Sequence, residues 1–396
     1  MSNTKNVMDD IVWVGADDHR LELFENIYPL PDGVSYNSYV ILDEQTALMD
    51  TADIAVADTF LANVETALNG RRLDYVIVQH MEPDHSATLG ALIDKYPGVV
   101  VVCNAKTEVM IHQFFRNDLV LKTKIVKEGD VLSLGHHVLQ FIMTPMVHWP
   151  EVMMTYDTTA HILFSADAFG AFGALNGAMF ADEVDFKDTY LSEMRRYYAN
   201  IVGKYGMPVQ AALKKAAGLD IHLICPLHGL VWREELPFLL DKYEHWSTYT
   251  PEEKAVVVAY ASMYGNTGRV ATKVAEKLSK MDVPVCVYDL SHTGRDFVLG
   301  EIFRASHLVL AAATHDGNIF EPMEYLLRDM IAHGVQGRKV ALIENGSWAP
   351  MAAKQMQTLL ESMKDMQIVI PIVSIKSTLS ENQEEDLTKL ASELMA

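Results

Sequence analysis

His80-Met81-Glu82-Pro83-Asp84-His85 is the stretch on which the reading of this chain turns. Four side chains that bind metals well fall within six residues. They follow the apolar run Tyr75-Val76-Ile77-Val78, which reads as a buried strand. A strand that ends in histidines and carboxylates delivers ligands to a sheet edge, where loops carry function. Three more such residues follow apolar runs further on. His148 lies in Thr144-Pro145-Met146-Val147-His148-Trp149-Pro150, after the run 138–143. Asp167 lies in Phe164-Ser165-Ala166-Asp167-Ala168-Phe169-Gly170, after 161–165, and His228 in Cys225-Pro226-Leu227-His228-Gly229, after 222–225. Four histidines and three carboxylates exceed what one tetrahedral ion takes, so the set predicts two ions with one carboxylate bridging. His112, His136, His137, His245 and His333 stand outside this pattern and read as surface or core residues.

The rest of the composition bounds the protein class. At 396 residues the chain is long enough for two domains, and 49% hydrophobic with 21% charged residues is ordinary for a soluble globular protein. The net charge of −21 argues against a nucleic acid or an anionic membrane as partner, since both would repel it. Cys103, Cys225 and Cys286 form no C-x-x-C pair. That speaks against a disulfide framework, a zinc ribbon or a built-in rubredoxin. The first ten residues are polar and acidic, unlike a signal peptide. No apolar run approaches the ~20 residues of a membrane helix. The expectation is a soluble, cytoplasmic protein.

Two regions differ in pattern. Residues 1–250 carry short apolar runs at 38–42, 47–50, 75–79, 99–103, 138–143 and 161–165, with helical stretches at 56–69 and 86–95. This predicts stacked sheets flanked by helices. Tyr249-Thr250-Pro251-Glu252-Glu253 is polar, holds a proline and reads as a linker. Residues 251–396 are regular: apolar β-rich runs at 254–262, 283–290, 307–314, 339–344 and 367–375 alternate with amphipathic segments at 267–280, 320–333 and 350–364. That alternation predicts a doubly wound parallel sheet.

In this second region Tyr260-Ala261-Ser262-Met263-Tyr264-Gly265-Asn266-Thr267-Gly268 follows the first strand and opens a helix. The Ser262 and Thr267 hydroxyls, with free N–H groups at the helix start, would hold a dianionic phosphate. Gly265 would let the backbone turn close to it. The loop is neither of the glycine-rich patterns of dinucleotide or nucleoside-triphosphate sites, so a monophosphate such as that of FMN fits better. Thr314-His315-Asp316-Gly317-Asn318 follows the third strand, and Glu344-Asn345-Gly346-Ser347-Trp348-Ala349-Pro350 the fourth. In a sheet of order 2-1-3-4-5 these three loops converge on one switch-point crevice. Trp348 is placed to stack on an isoalloxazine ring.

The His-x-Glu-x-Asp-His spacing resembles the metal motif of the metallo-β-lactamase fold, with Glu82 where that motif usually has histidine. The phosphate loop resembles that of flavodoxins. Together, and in this order along essentially the whole chain, the two constellations resemble the flavodiiron proteins, or A-type flavoproteins. The resemblance implies an αββα metallo-β-lactamase-like domain, 1–250, followed by a flavodoxin-like domain, 251–396. It assigns His80, Glu82 and His148 to one iron and Asp84, His85 and His228 to the other, with Asp167 bridging. A carboxylate-enriched site suits iron or manganese better than an all-histidine site. The segment Arg196-Tyr197-Tyr198 resembles one near the family's diiron pocket, which makes Tyr197 a candidate proton donor. Phe169 and Phe172 would supply an apolar wall, and Asp50 a structural hydrogen-bond partner.

The resemblance further implies reduction of dioxygen to water, of nitric oxide to nitrous oxide, or both. Electrons would come from rubredoxin or reduced deazaflavin through FMN, in a head-to-tail homodimer or a dimer of dimers. The rivals are a dinuclear metal hydrolase fused to a flavodoxin-like domain, and a flavin carrier with a decayed metal site. Glu82 and the complete ligand set speak against them.

Overall fold

The computed structural model describes residues 3–115 and 121–396. Their contacts divide them into two compact units. The first runs to Tyr197 and resumes over Met207–Tyr243; the second comprises Tyr198–Gly206 and Glu244–Ala396. The division therefore falls a few residues ahead of the expected linker. The excursion Tyr198–Gly206 was not legible in the sequence. Its reason is tertiary: Asn200 Nδ2 donates to the Asp296 carbonyl at 3.1 Å, and the Asn200 carbonyl lies 3.1 Å from His333 Nε2.

The first unit carries two larger sheets. One has seven strands in the order Lys5–Asn6, Ile11–Trp13, Tyr39–Leu42, Thr46–Met49, Tyr75–Ile77, Val100–Cys103, Lys122–Ile125. From Thr46–Met49 onward its strands are parallel. The other has five, Val131–Ser133, Val138–Met143, Met153–Asp157, Ile162–Phe164 and Leu223–Cys225, all antiparallel except the last pair. Strands such as Thr46–Met49, Met153–Asp157 and Leu223–Cys225 are buried at every position. Burial on both faces explains why they read as continuous apolar runs. Helices Ala57–Leu68, Leu89–Lys95 and Ala105–Phe115 connect the parallel strands.

The second unit is a parallel sheet in the order Val285–Asp289, Glu253–Ala261, Ala305–His315, Lys339–Asn345, Gln367–Ile368, which is the expected 2-1-3-4-5. Alternate residues Val256, Val258, Val309, Ala311, Ala341 and Ile343 point to one face. They are covered by the apolar sides of helices Asn266–Leu278 and Glu384–Met395. The run expected as one strand over 367–375 is two, Gln367–Ile368 and Val373–Ile375, with Pro371 between them lacking the N–H a ladder needs. Among the described residues, no helix is long and apolar enough to cross a membrane.

Candidate metal centre and cofactor cleft

In the first unit the chemistry sits just beyond the ends of strands from both large sheets. Asp50, after Thr46–Met49, accepts from the Gln79 backbone N–H at 2.7 Å and from that of His80 at 3.2 Å. It also takes the Gln79 side-chain amide at 2.8 Å. Asp50 thus sets where the chain leaves Tyr75–Ile77. Pro83 then opens the short helix Pro83–Ser86, which carries Asp84 and His85. Around Asp167 the backbone is unusual: Ala166 and Phe169 have φ of 51° and 67°. Such backbone persists where the surroundings over-determine it, often at functional sites.

The seven residues expected as ligands come together in two sets. His80 Nε2 lies 3.2 Å from Glu82 Oε2 and 3.1 Å from Asp167 Oδ2. His148 Nε2 lies 3.0 Å and 3.2 Å from the same two oxygens. On the other side, His85 Nε2 and His228 Nε2 are 3.0 Å apart. Asp84 Oδ2 is 3.3 Å and 3.1 Å from them, and Asp167 Oδ1 is 3.2 Å and 3.8 Å away. Asp167 therefore turns one oxygen to each set.

The donor set fits cations. Both Asp84 oxygens and Asp167 Oδ1 are buried and make no hydrogen bond among the described residues, although imidazoles crowd them. Atoms that approach this closely without aligning as donor and acceptor converge on common points, as ligands of shared ions do. Burial alone would lower the pKa of His80 and His148. Asp167, Glu82 and, for His80, Glu151 outweigh it, raising His80 well above its ordinary value and His148 to about 9. Burial would raise Asp167, yet the His80 and His85 charges hold it well below the carboxylate range.

Glu151, the Ser35 carbonyl and Glu25 also stand at the site, and none of them was read from the sequence. Glu151 Oε1 is 2.8 Å from His80 Nδ1, with both side chains fully buried. His228 Nδ1 donates to the Ser35 carbonyl at 2.7 Å. Glu25, on the tip between Leu23–Phe24 and Tyr28–Pro29, hydrogen-bonds Glu82, and its carboxyl is pushed up to about 8 by desolvation first and Glu82 next. Tyr197 is buried, its hydroxyl has no hydrogen-bond partner among the described residues, and its ring lies 5.6 Å from that of His228. Burial, then the nearby carboxylates, keep that hydroxyl protonated. Phe172 packs on Tyr197 at 5.1 Å and on Phe24 at 5.5 Å, and Phe24 faces His228 at 5.4 Å. Phe169 turns instead onto Tyr243, at 4.3 Å. A further cluster, His161, Asp220 and His222, is largely exposed. There the ring nitrogens nearest Asp220 already meet its oxygens, at 3.0 Å and 3.1 Å.

The second unit has a cleft of about 520 Å³ at the strand ends. All three expected loops line it: Ser262, Met263, Tyr264, Asn266 and Thr267; Thr314 to Gly317; and Asn345 to Trp348. Gly265 and Asn318 do not. Gly265 lies behind the loop at φ 83°, where it precedes helix Asn266–Leu278, and Asn318 pairs with His315 in a short antiparallel strand. Thr314 Oγ1 accepts from Met351 N–H at 2.9 Å and Ala352 N–H at 3.1 Å, so part of its capacity is taken up at the start of helix Ala352–Glu361. Ser377, which no sequence pattern marked, joins the cleft and bonds Ser347 Oγ at 2.9 Å. The cleft fits a flavin phosphate: Ser262 Oγ is buried beside the helix N-terminus, with no partner among the described residues. Tyr264 and Trp348 are each 90% exposed, two aromatic faces open to a planar ring.

A two-domain chain with a carboxylate–histidine cluster in a β-lactamase-like unit and an FMN-type cleft in a flavodoxin-like unit defines a class. Residues 34–229 match the ODP family beta lactamase and residues 258–389 the flavodoxin family. The anaerobic nitric oxide reductase flavorubredoxin of Vibrio vulnificus is 30% identical over 87% of this chain and 70% of its own length. The rubredoxin oxygen:oxidoreductase from Desulfovibrio gigas superposes with a TM-score of 0.92 at 26% identity, covering 99% of this chain and 98% of that one. A flavoprotein from Thermotoga maritima does so at 0.90 and 26%, covering 99% and 97%. The chain belongs to the flavodiiron protein family.

Proposed function

We propose that this protein is a flavodiiron oxidoreductase that reduces dioxygen to water, nitric oxide to nitrous oxide, or both, with electrons from an external donor such as rubredoxin. His80, Glu82 and His148 hold one iron, and Asp84, His85 and His228 the other. The observation that carries this reading is Asp167, whose two oxygens face the two sets separately. When bound, two irons and one FMN supply up to four reducing equivalents and Lewis-acid stabilisation of developing oxyanions. Four is the number that takes dioxygen to two waters; two suffice to couple two nitric oxides.

The chain's own residues position and protect this chemistry. Phe24 and Phe172 line the His228 side with apolar rings and limit water there. Tyr197 and Glu25 carry protons beside the ligands, and the Tyr197 hydroxyl would supply one on the His228 side. Ser262, the Thr267 hydroxyl and the helix N-terminus would hold the FMN phosphate, and Tyr264 and Trp348 offer aromatic faces to its ring. We place the protein in the cytoplasm as a head-to-tail homodimer or a dimer of such dimers, without nucleic-acid or membrane partners; the −21 charge supports the last point.

The test is metal and flavin analysis followed by turnover. Two irons and one FMN per chain, and gas consumption with reduced rubredoxin, are expected. Two zinc ions and no iron would favour the hydrolase instead. Iron-loaded, flavin-reduced protein that consumes neither gas would leave only a carrier. Sedimentation at equilibrium tests the dimer.

A further inference from the structure

Each imidazole ligand has a second ring nitrogen, and what it meets differs from one histidine to the next. His80 Nδ1 meets the Glu151 carboxylate at 2.8 Å. The same oxygen accepts the Met81 N–H at 2.9 Å, and Asn104 Nδ2 donates to the Glu151 backbone carbonyl at 2.6 Å, so the residue is held at its backbone and at one carboxylate oxygen. The other carboxylate oxygen, Glu151 Oε2, is buried with no hydrogen-bond partner among the described residues. His228 Nδ1 meets only a neutral carbonyl, that of Ser35. His85 Nδ1 is buried and has no partner among the described residues.

We propose that Glu151 is a positioning residue that makes the two metal positions unequal: the metal held by His80, Glu82 and His148 is the last to leave and the last to be reduced. This rests on reading the seven residues as a diiron site. A carboxylate that accepts the Nδ1 proton draws it off the ring, fixes the tautomer and makes Nε2 a stronger donor. A stronger donor favours the ferric over the ferrous ion. A carbonyl does less, and an unanchored ring does least, because it must also be ordered on binding. The Glu151 anchor on His80 thus favours the first set in both tightness and electron density, and His85 is the weakest point of the second.

The experiment uses full-length holoprotein with two irons and FMN. A chelator is expected to remove the irons in two phases. His85→Ala should speed only the fast one, which ties that phase to the second set. Glu151→Gln should speed the slow phase by about 10- to 100-fold and leave the fast one unchanged. In a stepwise dithionite titration followed by Mössbauer spectroscopy, the wild-type irons should reduce one after the other. In Glu151→Gln the interval should shrink, and Glu151→Asp should restore part of it. Wild-type protein that loses both irons at one rate overturns the proposal without needing any variant to fold. So does Glu151→Gln acting equally on both phases. Wild-type protein unable to hold two metals would sink the diiron reading itself, and with it this inference.

Discussion

Asp167 has no N–H to donate and two oxygens that point to different histidine pairs. Asp167→Asn swaps one oxygen for a donor amide. The expected outcome is loss of about one iron per chain and a fall in gas consumption of at least ~100-fold, read by iron analysis and an oxygen or nitric oxide electrode. Tyr197→Phe removes a buried hydroxyl that no group among the described residues hydrogen-bonds. Iron content and fold should stay unchanged while turnover drops by roughly 10²-fold, since one preorganised donor is lost. At this scale the seven candidate ligands were legible because ligand chemistry is written in residue type and in position after an apolar run. Glu151 carried a signal, a carboxylate three residues beyond His148, that the reading passed over. The Ser35 carbonyl carried none, because every residue has one.

Elements are set by local patterns, and the exceptions are where neighbours decide. Helix Arg295–Arg304 was not anticipated: Phe297, Val298 and Leu299 run consecutively instead of at helical spacing. Met153–Asp157 is wholly buried and lacks the alternation that marks a half-exposed strand. His137 ties separate segments of the first unit together. Its Nδ1 lies 2.6 Å from Asp157 Oδ2, its Nε2 3.0 Å from Asp10 Oδ2, and its backbone N–H donates to Asp43 Oδ2 at 2.6 Å. The Asp157 hydrogen bond, ahead of opposing burial, raises His137 to about 9. A raised histidine contributes most below its unfolded pKa near 6.5, and the contribution fades as pH rises through the folded value. Stability should therefore fall by on the order of 2–3 kcal/mol between about pH 6.5 and 9, and His137→Gln should flatten that slope in denaturant titrations. In the phosphate loop, a Cβ on Gly265 would meet nothing nearer than Arg269 Nη1 at 3.4 Å, so only its φ of 83° resists substitution. Gly265→Ala should cost about 1 kcal/mol and weaken FMN binding roughly fivefold by fluorescence titration.

At the scale of the whole molecule, each cofactor belongs to one unit: the seven candidate ligands all lie in the first, and the residues lining the flavin cleft all lie in the second. Ligands stabilise the unit that binds them by mass action. FMN at 100 times its Kd should raise the unfolding free energy of the second unit by about 2.7 kcal/mol and leave the first unchanged. Chelation should lower only the first, and calorimetry with two resolved transitions would check both. Taken alone, the sequence determined the residue types, the alternation that builds the 2-1-3-4-5 sheet, and the run that places His80 to His85 after a strand, because periodicity and ligand chemistry are local properties. Only the tertiary structure decided which histidine faces which carboxylate oxygen, where Tyr198–Gly206 packs, and what stands behind each ring. Those depend on the approach of segments far apart in the chain, such as His85 and His228, which no local pattern encodes.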